Sequence, residues 1–222
     1  VKRAEQGKLK MSVVKENNKQ FWEKCFRDTN YDYKSLVNKN WSKLIDRPKK
    51  YNVKNVLDLG CGYGHWSIAL ARAGFKVKAI DISSTAIKIL KKWADEKNLS
   101  IDIKVRAAQK FKTSDDNFDA VICNSVLDHM IMNDTKIVLN NINNILKPNG
   151  IAYISFDGPD KDTKDFVLLN DGTRNYIKGK FKNMLWRYCT DKEIKDLCKD
   201  FAIIEFNKRK NGRRAVWIKK KS

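Results

Sequence analysis

Asp58, Gly60, Gly62 and Gly64 lie in the run VLDLGCGYGHW, residues 56–66, where an apolar segment passes straight into a glycine-dense turn. Glycine lets the backbone turn sharply and lets a ligand approach the main chain closely. The segment opening at His65 then offers the unpaired amides of a helix start. Asp81 closes the next apolar run, and a carboxylate there can accept both hydroxyls of a ribose. A second group follows the apolar run 118–123: Asn124, Ser125, Asp128 and His129. His129 is one of only two histidines, and as a proton acceptor it suits chemistry in which a nucleophile must shed a proton.

The first group reads as a nucleotide-type cofactor site. Its spacing is GxGxG, with His65 and Trp66 standing where a dinucleotide fingerprint needs its last glycine. Asp58 would repel a pyrophosphate but can hold an ammonium. S-Adenosylmethionine (SAM) carries both an ammonium and a sulfonium, so the acidic entry favours it over NAD. Ile82 follows Asp81 and is placed to pack on an adenine.

The elements needed to position these groups are visible. Strands are expected at 55–59, 76–80, 101–105, 118–123 and 151–156, with helices at 66–73, 84–97 and 133–146 between them. Ile87, Leu90 and Ala94 share one helical face, as do Val138, Ile142 and Ile145. Pro148-Asn149-Gly150 reads as a turn. Thr190 and Glu193 form a capping box at the start of a further helix. Strands at 201–206 and 215–218 flank the tight-turn pair Asn211-Gly212. The fold class is therefore α/β: a Rossmann-like, doubly wound, mostly parallel seven-stranded sheet with a C-terminal antiparallel hairpin. Residues 1–50 read as an N-terminal helical extension or lid, ended by Pro48 and the basic run around it, and residues 51–222 as the cofactor domain, with 157–188 a polar substrate-side insertion.

These residues carry a resemblance. The chain is similar to class I SAM-dependent methyltransferases of the small Rossmann-like type: residues 56–64 match the glycine motif, Asp81 the ribose-binding acid, FDAVICNSVLDHM (118–130) the fourth-strand motif, and LKPNG (146–150) the turn before the fifth strand. The resemblance implies SAM as cofactor and methyl transfer by direct displacement. It sets the loop 106–109 against the adenine, with Ala108 and Gln109 where relatives often carry an acidic residue. The expected cofactor set is Asp58, Gly60, Cys61, Gly62, Gly64, Trp66, Asp81, Ile82, Ala108, Gln109, Asn124 and Ser125, and the expected catalytic pair is His129 with Asp128. The family's (Asn/Asp)-Pro-Pro-(Tyr/Phe) motif for exocyclic amines is absent; NSVLDHM stands in its place.

Phe21, Trp22, Phe26, Tyr31 and Trp41 can form a lid, and Tyr176, Phe181, Trp186 and Tyr188 a facing wall, rimmed by Arg174, Lys178, Lys180, Lys182 and Arg187. This suits a small-molecule acceptor, anionic or aromatic. The alternative is an RNA or protein acceptor drawn by charge: the net charge is +20, and residues 55–171 balance acid against base, so the excess lies wholly in the flanks. A dinucleotide-dependent oxidoreductase and a SAM-binding partner subunit without activity are further readings. The five cysteines include no CxxC pair, so no metal site is expected and a reducing cytoplasm is the expected location. No apolar run is long enough to span a membrane, the polar start does not suit a signal peptide, and Met11 is a candidate natural start. Oligomeric state is not fixed by these features.

Overall fold

The structure, a computed structural model, describes residues 10–29, 42–112, 117–159 and 164–221. Two helices, α1 (Met11–Asp28) and α2 (Ser42–Lys50), precede the sheet. Then come β1 (Asn55–Leu59), α3 (His65–Arg72), β2 (Lys76–Asp81), α4 (Ser84–Glu96), β3 (Ile101–Val105), β4 (Phe118–Asn124), α5 (Met132–Ile145) and β5 (Leu146–Phe156). Three short strands follow, β6 (Phe166–Leu168), β7 (Arg174–Tyr176) and β8 (Leu185–Trp186). The chain ends in α6 (Asp191–Leu197), β9 (Phe201–Lys208) and β10 (Arg214–Lys220).

The main sheet has seven strands in the order β3-β2-β1-β4-β5-β10-β9. β3 through β5 pair in parallel, while β10 runs antiparallel to both β5 and β9. The central strands are apolar on both faces, as a sheet covered by helices on each side requires. Strand alternation divides them into two cores. Leu57, Val121, Cys123 and Ile154 pack with Val138 and Ile142 of α5 and Ile194 of α6. Val56, Ala120, Ile122 and Tyr153 pack with Leu44 of α2 and Leu70 of α3. Helix α4 lays Ile87, Leu90, Trp93 and Ala94 against Ala79. Its start is capped by Ser83, whose hydroxyl accepts from the Ala86 amide at 3.1 Å. The capping box of α6 is present in both directions, Thr190 and Glu193 each accepting from the other's amide.

Pro48 lies inside α2, which ends in the basic run at Lys50. One expectation is corrected. Pro148-Asn149-Gly150 lies within β5: the pairing jumps from Phe118↔Leu146 to Ala120↔Ile151, so residues 147–150 form a bulge in the strand, with Asn149 at φ 64°. Within the insertion, β6, β7 and β8 make a separate antiparallel sheet. Its core of Tyr176, Met184 and Trp186 packs against Phe21 of α1, which ties the lead-in helix to the insertion. Tyr31 and Trp41 lie outside the described residues. Among the described residues no helix is long and apolar enough to cross a membrane.

Candidate active site

At the carboxyl edge of the sheet, β1 ends in the glycine turn and β2 ends in Asp81. The Gly60 and Cys61 amides both donate to the Ile80 carbonyl, at 2.8 and 3.0 Å, binding the turn to β2. Gly60 and Gly64 have φ of +72° and +81°, a region that only glycine enters freely. Asp81 braces the same turn: one carboxylate oxygen accepts from the Gly62 amide at 2.9 Å, the other from the Ser83 amide at 2.8 Å. Burial pushes the Asp81 carboxyl up to about 6, against the pull of those two amides.

Beside this turn is a cavity of about 140 Å³. Its walls include Gly60, Asp81, Ile82, Ala108, Gln109, Ser125 and His129, all expected site residues. Helix α1 roofs it with Trp22 and Phe26. That roof is fastened at several points. The Glu23 carboxylate accepts from Ser83 Oγ and from the Ser84 and Thr85 amides, at 2.9, 2.6 and 3.1 Å, at the start of α4. Burial opposes the Glu23 charge, but the Thr85 side chain and these donors together outweigh it and bring its carboxyl down to about 2. Asn18 donates to the His129 carbonyl at 3.0 Å and accepts from the Leu185 amide at 2.9 Å, while Lys15 pairs with Asp134 at 2.8 Å.

His129 is held on every side. Nδ1 lies 3.1 Å from the Leu185 carbonyl, which makes that nitrogen the donor and turns Nε2 toward the Asp157 carboxylate, 3.4 Å away. The Trp22 ring meets the imidazole edge-on at 4.9 Å. Burial works against charge on the ring, but Asp128, Asp157 and the Leu185 carbonyl outweigh it and hold His129 above its ordinary value. Asp157 is held below the usual carboxylate range: burial opposes its charge, and His129, Arg213 and the Ser125 hydroxyl overcome that.

Six of the expected cofactor residues are not brought to the cavity wall. Asp58 and Val56 point to the same side of β1; Asp58 is 2% exposed and accepts from Ser67 Oγ of α3 at 2.6 Å. Burial pushes its carboxyl up to about 7. Trp66 packs on Tyr153, ring centroids 4.9 Å apart, in the core beneath α2 and α3. Cys61 is buried with Tyr63 and Ile68. Gly62 and Gly64 shape the turn, and Asn124 Oδ1 accepts from Ser155 Oγ and Arg213 Nη2 at 3.0 and 2.9 Å. Of the catalytic pair, His129 lines the cavity and Asp128 does not. Asp128 is fully buried and accepts from the Asp157 amide at 2.7 Å, so it braces the loop after β5. The expected rim is also partly structural: Arg174 lies over the Phe166 and Trp186 rings, and Arg187 pairs with Glu193 at 2.5 Å.

The sequence reading missed Asp157, Arg213, Glu23 and Asn18. Asp157 had a signal, because it follows β5 at the same edge where Asn124 ends β4. Glu23 and Asn18 had none, since each acts on elements far along the chain. Asp128, His129 and Asp157 bring potential ligand atoms within 4.8 Å of one another. The Arg213 guanidinium, 3.8 Å from Asp157, and the amide on Asp128 already occupy that charge, so the group is an ion-pair network.

Residues 56–150 match the family model described as "Methyltransferase domain". The chain is 31% identical over 130 residues to a ubiquinone biosynthesis O-methyltransferase of Actinobacillus pleuropneumoniae serotype 5b, covering 56% of this chain and 54% of that protein. The chain thus spans about half the length of that relative. With the protein of the same name from Rickettsia canadensis it shares 32% over 161 residues, 66% of this chain and 67% of the relative. Among solved structures, the Burkholderia thailandensis 1,6-didemethyltoxoflavin-N1-methyltransferase with bound S-adenosylhomocysteine superposes with a TM-score of 0.71 at 18% identity, over 100% of this chain and 94% of that one. A SAM-dependent methyltransferase from Clostridium acetobutylicum gives 0.66 at 16%, over 91% and 97%. At these identities the structural likeness speaks for the fold.

Proposed function

This chain belongs to the class I SAM-dependent methyltransferases, and from that premise we propose that it transfers a methyl group from SAM to a small-molecule acceptor in the cavity beneath α1. The observation that carries this reading is the convergence of the glycine turn, Asp81 and His129 on one cavity roofed by Trp22 and Phe26.

The wall chemistry suits the cofactor. Asp81 keeps lone pairs for ribose hydroxyls after accepting its two amides. Ile82, Ala108 and Gln109 offer apolar faces and an amide for an adenine, and Gly60 and Ser125 border the remainder. The volume is small, about 140 Å³ against roughly 300–1,000 Å³ for ordinary small-molecule sites. Loading therefore requires Trp22, Phe26 or Val126 to give way. When bound, SAM supplies a methyl group made electrophilic by its sulfonium. The protein's part is to align the acceptor, exclude water beneath Trp22 and Phe26, and receive the acceptor's proton at His129 Nε2. Asp157 orients that nitrogen and steadies the charge it gains. Asp128 serves as a brace.

The two relatives are O-methyltransferases of ubiquinone biosynthesis by name, and a roofed cavity fits a small-molecule acceptor better than an RNA or a protein side chain. The five cysteines are free thiols, which suits a reducing compartment. The test is transfer of a labelled methyl from SAM, with a panel of phenols, hydroxy acids and amines beside total RNA and denatured protein. Label in a small molecule, lost in His129→Asn, is the expected result. Label only in RNA or protein would overturn the acceptor class.

A further inference from the structure

Arg213 lies in the hairpin turn between β9 and β10, far in sequence from every other residue of the site, yet it closes the back of it. Its Nη2 lies within hydrogen-bonding distance of Ser125 Oγ, Asn124 Oδ1 and Ser155 Oγ, at 2.7, 2.9 and 3.1 Å. Its Nε is buried without a hydrogen-bond partner and sits 3.8 Å from Asp157 Oδ1. The turn is docked firmly. A Cβ on Gly158, the residue after Asp157, would meet the Asn211 carbonyl oxygen at 2.1 Å and the Arg213 amide nitrogen at 3.0 Å, so only glycine lets the two backbones lie this close.

Asp157 therefore stands between two cations, with Arg213 on Oδ1 and His129 Nε2 at 3.4 Å on Oδ2. Both separations exceed those of a tight charge-assisted hydrogen bond. The balance is Coulombic, and a change of charge on one side is felt on the other. We propose that Arg213 is a positioning residue that shares Asp157 with His129 and thereby sets the pH at which His129 becomes able to accept a proton. Its catalytic meaning rests on the assignment of His129 as the proton acceptor.

The other charges around His129 are accounted for. Asp128 is its chain neighbour; its carboxylate, fixed by the Asp157 amide at 2.7 Å, also favours charge on His129 and is untouched by the substitutions at Arg213. From α1 and α5, Lys15 and Asp134 face the same cavity as a pair, and Asp81 and Arg106 face it from the ends of β2 and β3. Of these only Asp128 touches Asp157, and its carboxylate accepts from the Asp157 amide rather than facing the Asp157 carboxylate as Arg213 does.

With two histidines in the chain, their Cε1–H NMR signals can be followed through a pH titration without any ligand. In Arg213→Gln the Asp157 charge is left to His129 and the Ser125 hydroxyl, and the His129 midpoint rises by about half to one pH unit. Arg213→Lys returns it to near the wild-type value, Asp157→Asn lowers it, and His65 stays in place throughout. In the unaltered protein the Arg213 Nε–H signal moves with the His129 midpoint, which decides the matter even if Arg213→Gln does not fold. A His129 midpoint unchanged or lowered in Arg213→Gln, or an Arg213 signal silent through the His129 titration, would overturn the proposal. The pH–rate profile separates the two readings. If the NMR coupling holds but the acid limb of methyl transfer ignores Arg213→Gln, His129 is not the proton acceptor.

Discussion

Gly64 lets the glycine turn enter α3, and replacing it tests how tightly the site is built into the core. The residue sits at φ +81°, and a Cβ there would lie 2.1 Å from Leu90 Cδ1 and 2.8 Å from Cγ and Cδ2. Leu90 is fully buried, so it cannot swing into solvent, and the clash reaches its branch carbon as well as its tip. Gly64→Ala then combines left-handed strain of about 1–2 kcal/mol with overpacking of about 1–3 kcal/mol, or about 2–5 kcal/mol in all. Gly74 is an internal control, with φ +89° and nothing within 4 Å of its would-be Cβ. Gly74→Ala carries the backbone strain alone, about 1–2 kcal/mol. Urea unfolding at 25 °C, followed by tryptophan fluorescence, measures both. In a Leu90→Ala background the cost of Gly64→Ala should fall to that of Gly74→Ala. Equal costs for the two glycines in the native background would refute the claim that Leu90 locks the turn.

Gly60→Ala should act on the ligand more than on the fold. Its Cβ would meet Val126 Cγ2 at 2.4 Å, and the stiff Val126 side chain lines the cavity and would be driven into it; SAM affinity measured by calorimetry should fall by roughly tenfold or more. Thr190→Ala removes half of a complete capping box and should lower stability by about 1 kcal/mol, read from the urea midpoint. His129 is held above its unfolded value, so its contribution to stability is complete below about pH 6.5 and is lost as pH rises through its folded value. Asp157 is held below its unfolded value, so its contribution is present above about pH 4 and is lost on acidification. The stability difference between the native chain and His129→Asn should therefore peak between about pH 4 and 6.5; a difference flat from pH 5 to 9 would contradict the ion pair.

The parallel half of the sheet was legible because its signals are local. Apolar runs, glycine spacing and helical faces fixed β1 to β4 to within a residue at either end. Boundaries failed where tertiary pairing overrode turn chemistry, as in the 147–150 bulge that β4 and β5 absorb. The β6–β8 sheet left little trace, since two- and three-residue strands are too short for a period to show. Around the cavity, Asp81, Ile82 and Ser125 follow from their places at strand ends, and the facing of the other motif residues was less readable. Asp58 and Trp66 sit in the motif but turn into the core under α3, whereas Asp157, Arg213 and Glu23 reach the site through contacts the linear order does not display.

The central claim is that the cavity between the glycine turn and α1 holds SAM through Asp81. Calorimetric titration of the chain with SAM, with S-adenosylhomocysteine and with NAD as control tests it directly, alongside Asp81→Ala. Saturable binding of both sulfur nucleosides, weakening as pH falls below about 6 where buried Asp81 takes up its proton and lost in a folded Asp81→Ala, is the predicted result. SAM binding that is absent, or that survives Asp81→Ala undiminished, would contradict the account.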